Sequence, residues 1–166
     1  MDNTVTQLNL VIKMAISAWE SQNKQLNKLL DALTDEQLQK EIAPGRNTGV
    51  YLLGHLIAVS DALFPLFGFS ERLYPELDEV FIKNPDKSGF AMPTVAELKE
   101  KLHTVNAKLA TVLDTTDTEE WLDRHTAVSP EDFANEPHRN KLNVLMNRTG
   151  HMANHLGQML LLKNRE

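Results

Sequence analysis

Cysteine is absent from this sequence of 166 residues. That excludes disulfides, thiolate metal ligands and a cysteine nucleophile, and it leaves His, Asp, Glu or water to bind any metal. Positive charge is scarce too. Lys and Arg number 17 against 23 Asp and Glu, a formal net charge of −6, and no basic cluster is longer than a pair. Nucleic-acid binding draws most of its affinity from neutralising phosphates, so it is not expected here. No helix shows a basic amphipathic face, which removes the case for a membrane surface. No apolar run reads as long enough to span a bilayer. The opening MDNTVTQLNL lacks the basic-then-apolar order of a secretory leader. The expected location is the cytoplasm. Strand signals are weak, and no GxSxG, P-loop or Rossmann glycine pattern occurs.

Helical periodicity is what the chain has in quantity. Between residues 4 and 33, apolar side chains fall at Leu8, Val11, Ile12, Ala15, Ile16, Trp19, Leu26, Leu29, Leu30 and Leu33. Those steps of three and four put one stripe on a long helix. Thr34 followed by Gln37 is a capping-box pattern for a further short turn. Pro44 and Gly45 break the chain, and Asn47 or Thr48 caps a second helix running to about residue 68. Pro65 should kink or end its last turns. Residues 69–93 carry Pro75, Pro85, Gly89 and Pro93 and read as a long connection with one short helix at 75–81. Thr94 and Glu97 form another capping box, opening a third long helix with Val95, Leu98, Leu102, Val105, Leu109, Val112 and Leu113 on one face. A short helix at 117–124, an irregular connection at 125–140 and a fourth long helix at 141–163 complete the reading. The expected fold is all-α: a single domain over residues 1–166, a four-helix bundle with long crossover connections and short accessory helices.

The last helix raises the chemical question. His151 and His155 stand one turn apart and project from one face. Val144, Arg148, His151, His155, Gln158 and Leu162 follow at steps of three or four, so the histidines share a stripe with apolar residues at both ends. Such a stripe faces a bundle interior, where an imidazole needs partners for both nitrogens. A metal on one nitrogen and a hydrogen bond on the other would supply them; so would the hydrogen bonds of an ordinary core. His55, in YLLGHLIAVSDALF, aligns with Tyr51 and Val59 and also points inward. A satisfied core histidine and a third ligand are both open for it. Three inward histidines from two helices make a three-nitrogen set that suits zinc and leaves a fourth position free. Gly54 and Gly157, beside His55 and His155, are small enough to let the two helices approach closely. His103, among charged neighbours, is expected in solvent, and His125 and His138 at the surface.

At these residues the sequence resembles the DinB-like superfamily of metalloenzymes, also called YfiT-like. Two segments carry the resemblance. PGRNTGVYLLGHL is similar to the family's turn into its second helix, with a ligand histidine at His55. TGHMANHLGQMLLLK is similar to the family's H-x-x-x-H-x-G-Q, with ligands at His151 and His155. The resemblance implies a four-helix bundle, a divalent ion (zinc or nickel) on three histidines, and homodimers. It also implies a reaction class, since members include transferases and isomerases dependent on bacillithiol, mycothiol or related low-molecular-weight thiols. There the metal lowers the pKa of the thiol and presents a thiolate to an electrophile. The NTGV stretch departs from the family, where an aromatic residue often precedes the second helix. Arg148, Gln158 and Tyr51 are the candidates for lining the pocket or supporting the ligands from behind, with Asn47 beside them.

Three functional readings follow. The first is a metal-dependent enzyme acting on a small molecule, either a thiol S-transferase or a hydrolase using metal-activated water. The second is a non-catalytic protein of a stress response that binds metal or a small ligand. The third is a structural dimeric bundle with three merely satisfied histidines.

Overall fold

The long amphipathic stripes become long helices. The computed structural model describes residues 3–163. Helix α1 spans Asn3–Ala32 and buries Ile12, Trp19, Leu26, Leu29 and Leu30. Val11, which its spacing places on the stripe, is 48% exposed instead, while its neighbour Ile12 takes the inward position. The short α2, Asp35–Leu38, is held by the reciprocal Thr34–Gln37 capping box.

Thr48, rather than Asn47, caps α3, Gly49–Asp61. Its hydroxyl accepts from the Tyr51 N–H at 3.2 Å, and its own N–H and hydroxyl donate to Asp86 at 2.6 and 2.9 Å. Helix α3 is buried almost all round, with Leu53, Leu56 and Ile57 at 0–1% exposure. Each such side chain contributes roughly 1.5–3 kcal/mol of burial. The helix breaks at Ala62 and resumes as α4, Leu63–Phe67, which ends at Gly68 with φ +77°. Pro65 explains the break, since it cannot donate to the Asp61 carbonyl and its ring clashes with it. Across this break Gly49–Phe67 is long and apolar enough to cross a bilayer, which corrects the expectation that no run is. Its most apolar window is 78% buried inside the bundle, as befits a core helix.

The connection after α4 contains α5, Leu77–Phe81. Asp61, fully buried, accepts from the backbone N–H groups of Leu73 and Tyr74 at 2.8 and 2.9 Å and from Arg72 Nε at 3.3 Å. Arg72 also donates to the Ala58 carbonyl at 2.8 Å and pairs with Asp78 at the start of α5. One buried carboxylate therefore fixes this connection against α3.

Helix α6, Val95–Thr115, opens on the Thr94–Glu97 box. The 117–124 segment is a 3-10 turn over Glu119–Leu122. The next connection was expected to be irregular, yet it holds α7, Pro130–Asn135. Ser129 caps it, Pro130 occupies its first turn and Glu131 and Asp132 follow, a start signal that outweighs the poor periodicity around it. Helix α8, Lys141–Met159, is capped by Asn140 and ends in a 3-10 turn over Leu160–Leu162. Helix α1 lies against α8, while α3 lies against α5, α6 and α8. The fold is thus an all-α bundle of α1, α3, α6 and α8 with short helices in its connections, and no strand occurs among the described residues.

Candidate metal centre

The packing of α3 on α8 brings His55, His151 and His155 together. The Nε2 atoms of His55 and His151 are 3.3 Å apart, and those of His151 and His155 are 3.0 Å apart. One ligand atom from each ring lies within 4.8 Å of the others. All three side chains are half-buried.

The outer nitrogens decide what faces the centre. His55 Nδ1 donates to the Phe81 carbonyl at 2.8 Å, and His155 Nδ1 donates to Gln158 Oε1 at 2.8 Å. Each ring therefore carries its proton on Nδ1 and turns an unprotonated Nε2 inward. His151 Nε2 faces both lone pairs with at most one proton to donate, so hydrogen bonding alone leaves the cluster short of protons. The His151 Nδ1 is sealed from solvent and has no partner. A divalent ion held by His55, His151 and His155 would relieve the crowding by accepting their lone pairs. At Zn–N lengths of about 2.0–2.1 Å and tetrahedral angles, ligand nitrogens sit about 3.3 Å apart, close to the separations here. The donor set fits a divalent ion of this kind.

Protonation is disfavoured where the ligands must be neutral. His151 is pushed down to about 4, first by burial and then by the positive charges of His155, His55 and Arg148. His55 is also lowered, chiefly by burial, with the Phe81 hydrogen bond opposing and His155 and Arg148 adding to the effect. Metal binding requires deprotonated imidazoles, and both shifts act in that direction.

The residues expected around the ligands take different places. Gln158 holds His155 from behind. The Tyr51 ring stacks on His55 with centroids 6.5 Å apart and planes 7° from parallel, and its hydroxyl donates to the Asn84 carbonyl at 2.7 Å. It forms the wall behind the ligand. Asn47 borders an open cavity of about 530 Å³ with Ile42, Ala43, Arg46, His155 and Gln158. Arg148 sits near enough for its charge to act on His55 and His151.

Gly54 serves close packing, but against Phe81 of α5 rather than α8: a Cβ there would lie 2.3 Å from the Phe81 ring. Gly157 packs against nothing, having open space where its Cβ would be. The Phe81 carbonyl has no side-chain signal, so spacing could not reveal it. His103 and His138 are exposed and His125 is half-buried; none joins the cluster.

The family model described as the DinB superfamily matches residues 18–159, a span containing all three histidines. A crystal structure of a conserved protein from Enterococcus faecalis aligns with a TM-score of 0.65, covering 91% of this chain and 94% of that one at 16% identity. At that identity the likeness concerns the fold alone. No curated protein matches the sequence.

Proposed function

This chain belongs to the DinB superfamily, and we propose that it is a metal-dependent enzyme that transfers a small thiol onto an electrophilic substrate. The observation that carries this reading is the convergence of three Nε2 atoms, two of them on rings whose outer nitrogens are already engaged. A zinc or nickel ion held by His55, His151 and His155 would lower the pKa of a thiol and supply a thiolate at neutral pH.

The chain's own residues prepare for that chemistry. The Phe81 carbonyl and Gln158 keep two imidazoles in the ligand tautomer. Tyr51 and Phe81 exclude water from the back of His55. The cavity bordered by Arg46, Asn47 and Gln158 reaches His155 and is roomy enough for a small molecule. Among the described residues no carboxylate joins the cluster, so the charge of an ion there would be left to stabilise an incoming anion. A hydrolase using water in place of the thiol needs the same donors.

A cytoplasmic setting suits this chemistry, since thiols stay reduced there. A homodimer is the assembly we favour. Leu10, Val11 and Met14 on α1 and Met146 on α8 are exposed, and Val11, Met14, Ala15, Ala18 and Met146 line a shared apolar groove that a second copy would cover. Sedimentation of wild type beside Met14→Glu tests that assembly, and a monomeric wild type would contradict it.

The functional test is turnover. Metal-loaded protein is offered small thiols with chromogenic electrophiles, and the conjugate is followed by mass spectrometry. The reading expects thiol-dependent product that disappears in His151→Ala. Product formed without thiol indicates the hydrolase. Bound metal with no turnover of any pair indicates a binding protein.

A further inference from the structure

Arg148 carries a charge that no described residue answers. It stands one turn before His151 on α8, on the stripe that leads to the histidines. Its side chain is half-buried, and its Nε is sealed from solvent without a hydrogen-bond partner. Its terminal nitrogens remain accessible, and it forms no hydrogen bond or ion pair with a described residue. Other half-buried arginines are matched: Arg72 to Asp61 and Asp78, and Arg139 to Glu136. A partly desolvated guanidinium without a partner is costly, so its retention here calls for a counter-charge from outside the chain.

The histidine cluster sharpens that demand. Histidines that hold a metal are neutral, and no carboxylate joins these three among the described residues. A divalent ion beside the guanidinium would leave the site strongly positive. An anion held between such an ion and the guanidinium would meet both charges.

We propose that Arg148 is the carboxylate-binding residue of the site, and that the thiol or substrate accepted there bears a carboxylate beside the group that reaches the metal. This rests on the histidine cluster being a metal centre. One guanidinium fork matches one carboxylate through two parallel hydrogen bonds. The inference narrows the substrate class to small acidic molecules.

The test uses the full-length protein loaded with cobalt(II), whose visible spectrum reports both metal binding and thiolate coordination. Two probes are titrated, 3-mercaptopropionate and 3-mercaptopropan-1-ol, which share the thiol and differ in the carboxylate. The acid is expected to bind about tenfold or more tighter than the alcohol, the size of a charge-assisted hydrogen-bond pair. In Arg148→Gln that ratio falls to near one while the cobalt spectrum of the ligand-free protein stays unchanged, and Arg148→Lys restores part of it. Equal binding of the two thiols to wild type, a ratio that survives Arg148→Gln, or cobalt that binds but responds to neither thiol would each overturn the proposal. Failure of cobalt to bind at all would overturn the metal-centre reading beneath it.

Discussion

Gly54→Ala tests how His55 is held. A Cβ at this position would lie 2.3 Å from Cε1 and Cζ of Phe81, whereas ordinary contact begins at 3.4 Å, so the ring must retreat by about 1 Å. The Phe81 carbonyl that accepts from His55 Nδ1 at 2.8 Å belongs to the same residue. A shift of that size takes the bond toward the limit of useful geometry. Alanine in a helix interior normally gains about 1 kcal/mol over glycine, but overpacking a core costs about 1–3 kcal/mol. The net effect expected on folding is a loss of about 0–2 kcal/mol. Metal affinity should fall further, by about 10–100-fold, as when a ligand histidine loses its outer hydrogen bond. Zinc competition against a chromophoric chelator measures the affinity, and circular dichroism with urea unfolding measures the fold. Gly157→Ala is the matched control. Nothing lies within 4 Å of its added Cβ, so it should stabilise by about 0.5–1 kcal/mol and leave zinc affinity alone. If Gly54→Ala folds like wild type and binds zinc as tightly, the Phe81 carbonyl does not position His55.

Three further outcomes are expected. Gln158→Leu removes the acceptor of His155 Nδ1; zinc affinity should drop about 10–100-fold with helix content unchanged, and an unchanged affinity would deny Gln158 that role. Stability of the metal-free protein should depend on pH through His151, whose folded pKa of about 4 lies below its ordinary value of 6.5. The unfolded chain then takes the proton first, so stability falls as pH drops from about 6.5 to about 4 and levels off below. Urea midpoints across that window should fall less steeply in His151→Gln, and an equal slope would contradict the assignment. Asp61→Asn removes the buried carboxylate but leaves Arg72 its pair with Asp78, so it should cost about 1–3 kcal/mol, read as a lower urea midpoint; an unchanged midpoint would mean that the buried carboxylate does not anchor the connection.

The long helices were legible because their signals are local. The Thr34–Gln37 and Thr94–Glu97 boxes, the break imposed by Pro65 and the stripe of α6 all act within a few residues of chain. The histidine cluster was legible for a related reason: His151 and His155 share a helix face by spacing, and only His55 had to be brought across the bundle. What escaped was tertiary. Helix α7 is too short to show a period, and only its Ser129–Pro130 start betrays it. Val11 is exposed because burial depends on where α8 lies, which spacing within α1 does not specify. The Asn84 carbonyl that holds the Tyr51 hydroxyl comes from a distant connection. The Phe81 carbonyl and the unanswered charge of Arg148 are facts about partners, and partners across the fold leave no trace in local sequence.

Metal content decides whether the three histidines form a metal centre. Untagged protein, purified without nickel resin, is measured by elemental mass spectrometry beside His155→Ala. A three-histidine centre predicts about one equivalent of a divalent metal in the wild type and its loss in a variant that still folds. No metal in the wild type, even after zinc or nickel is added, would contradict the account and leave a bundle whose three histidines are structural.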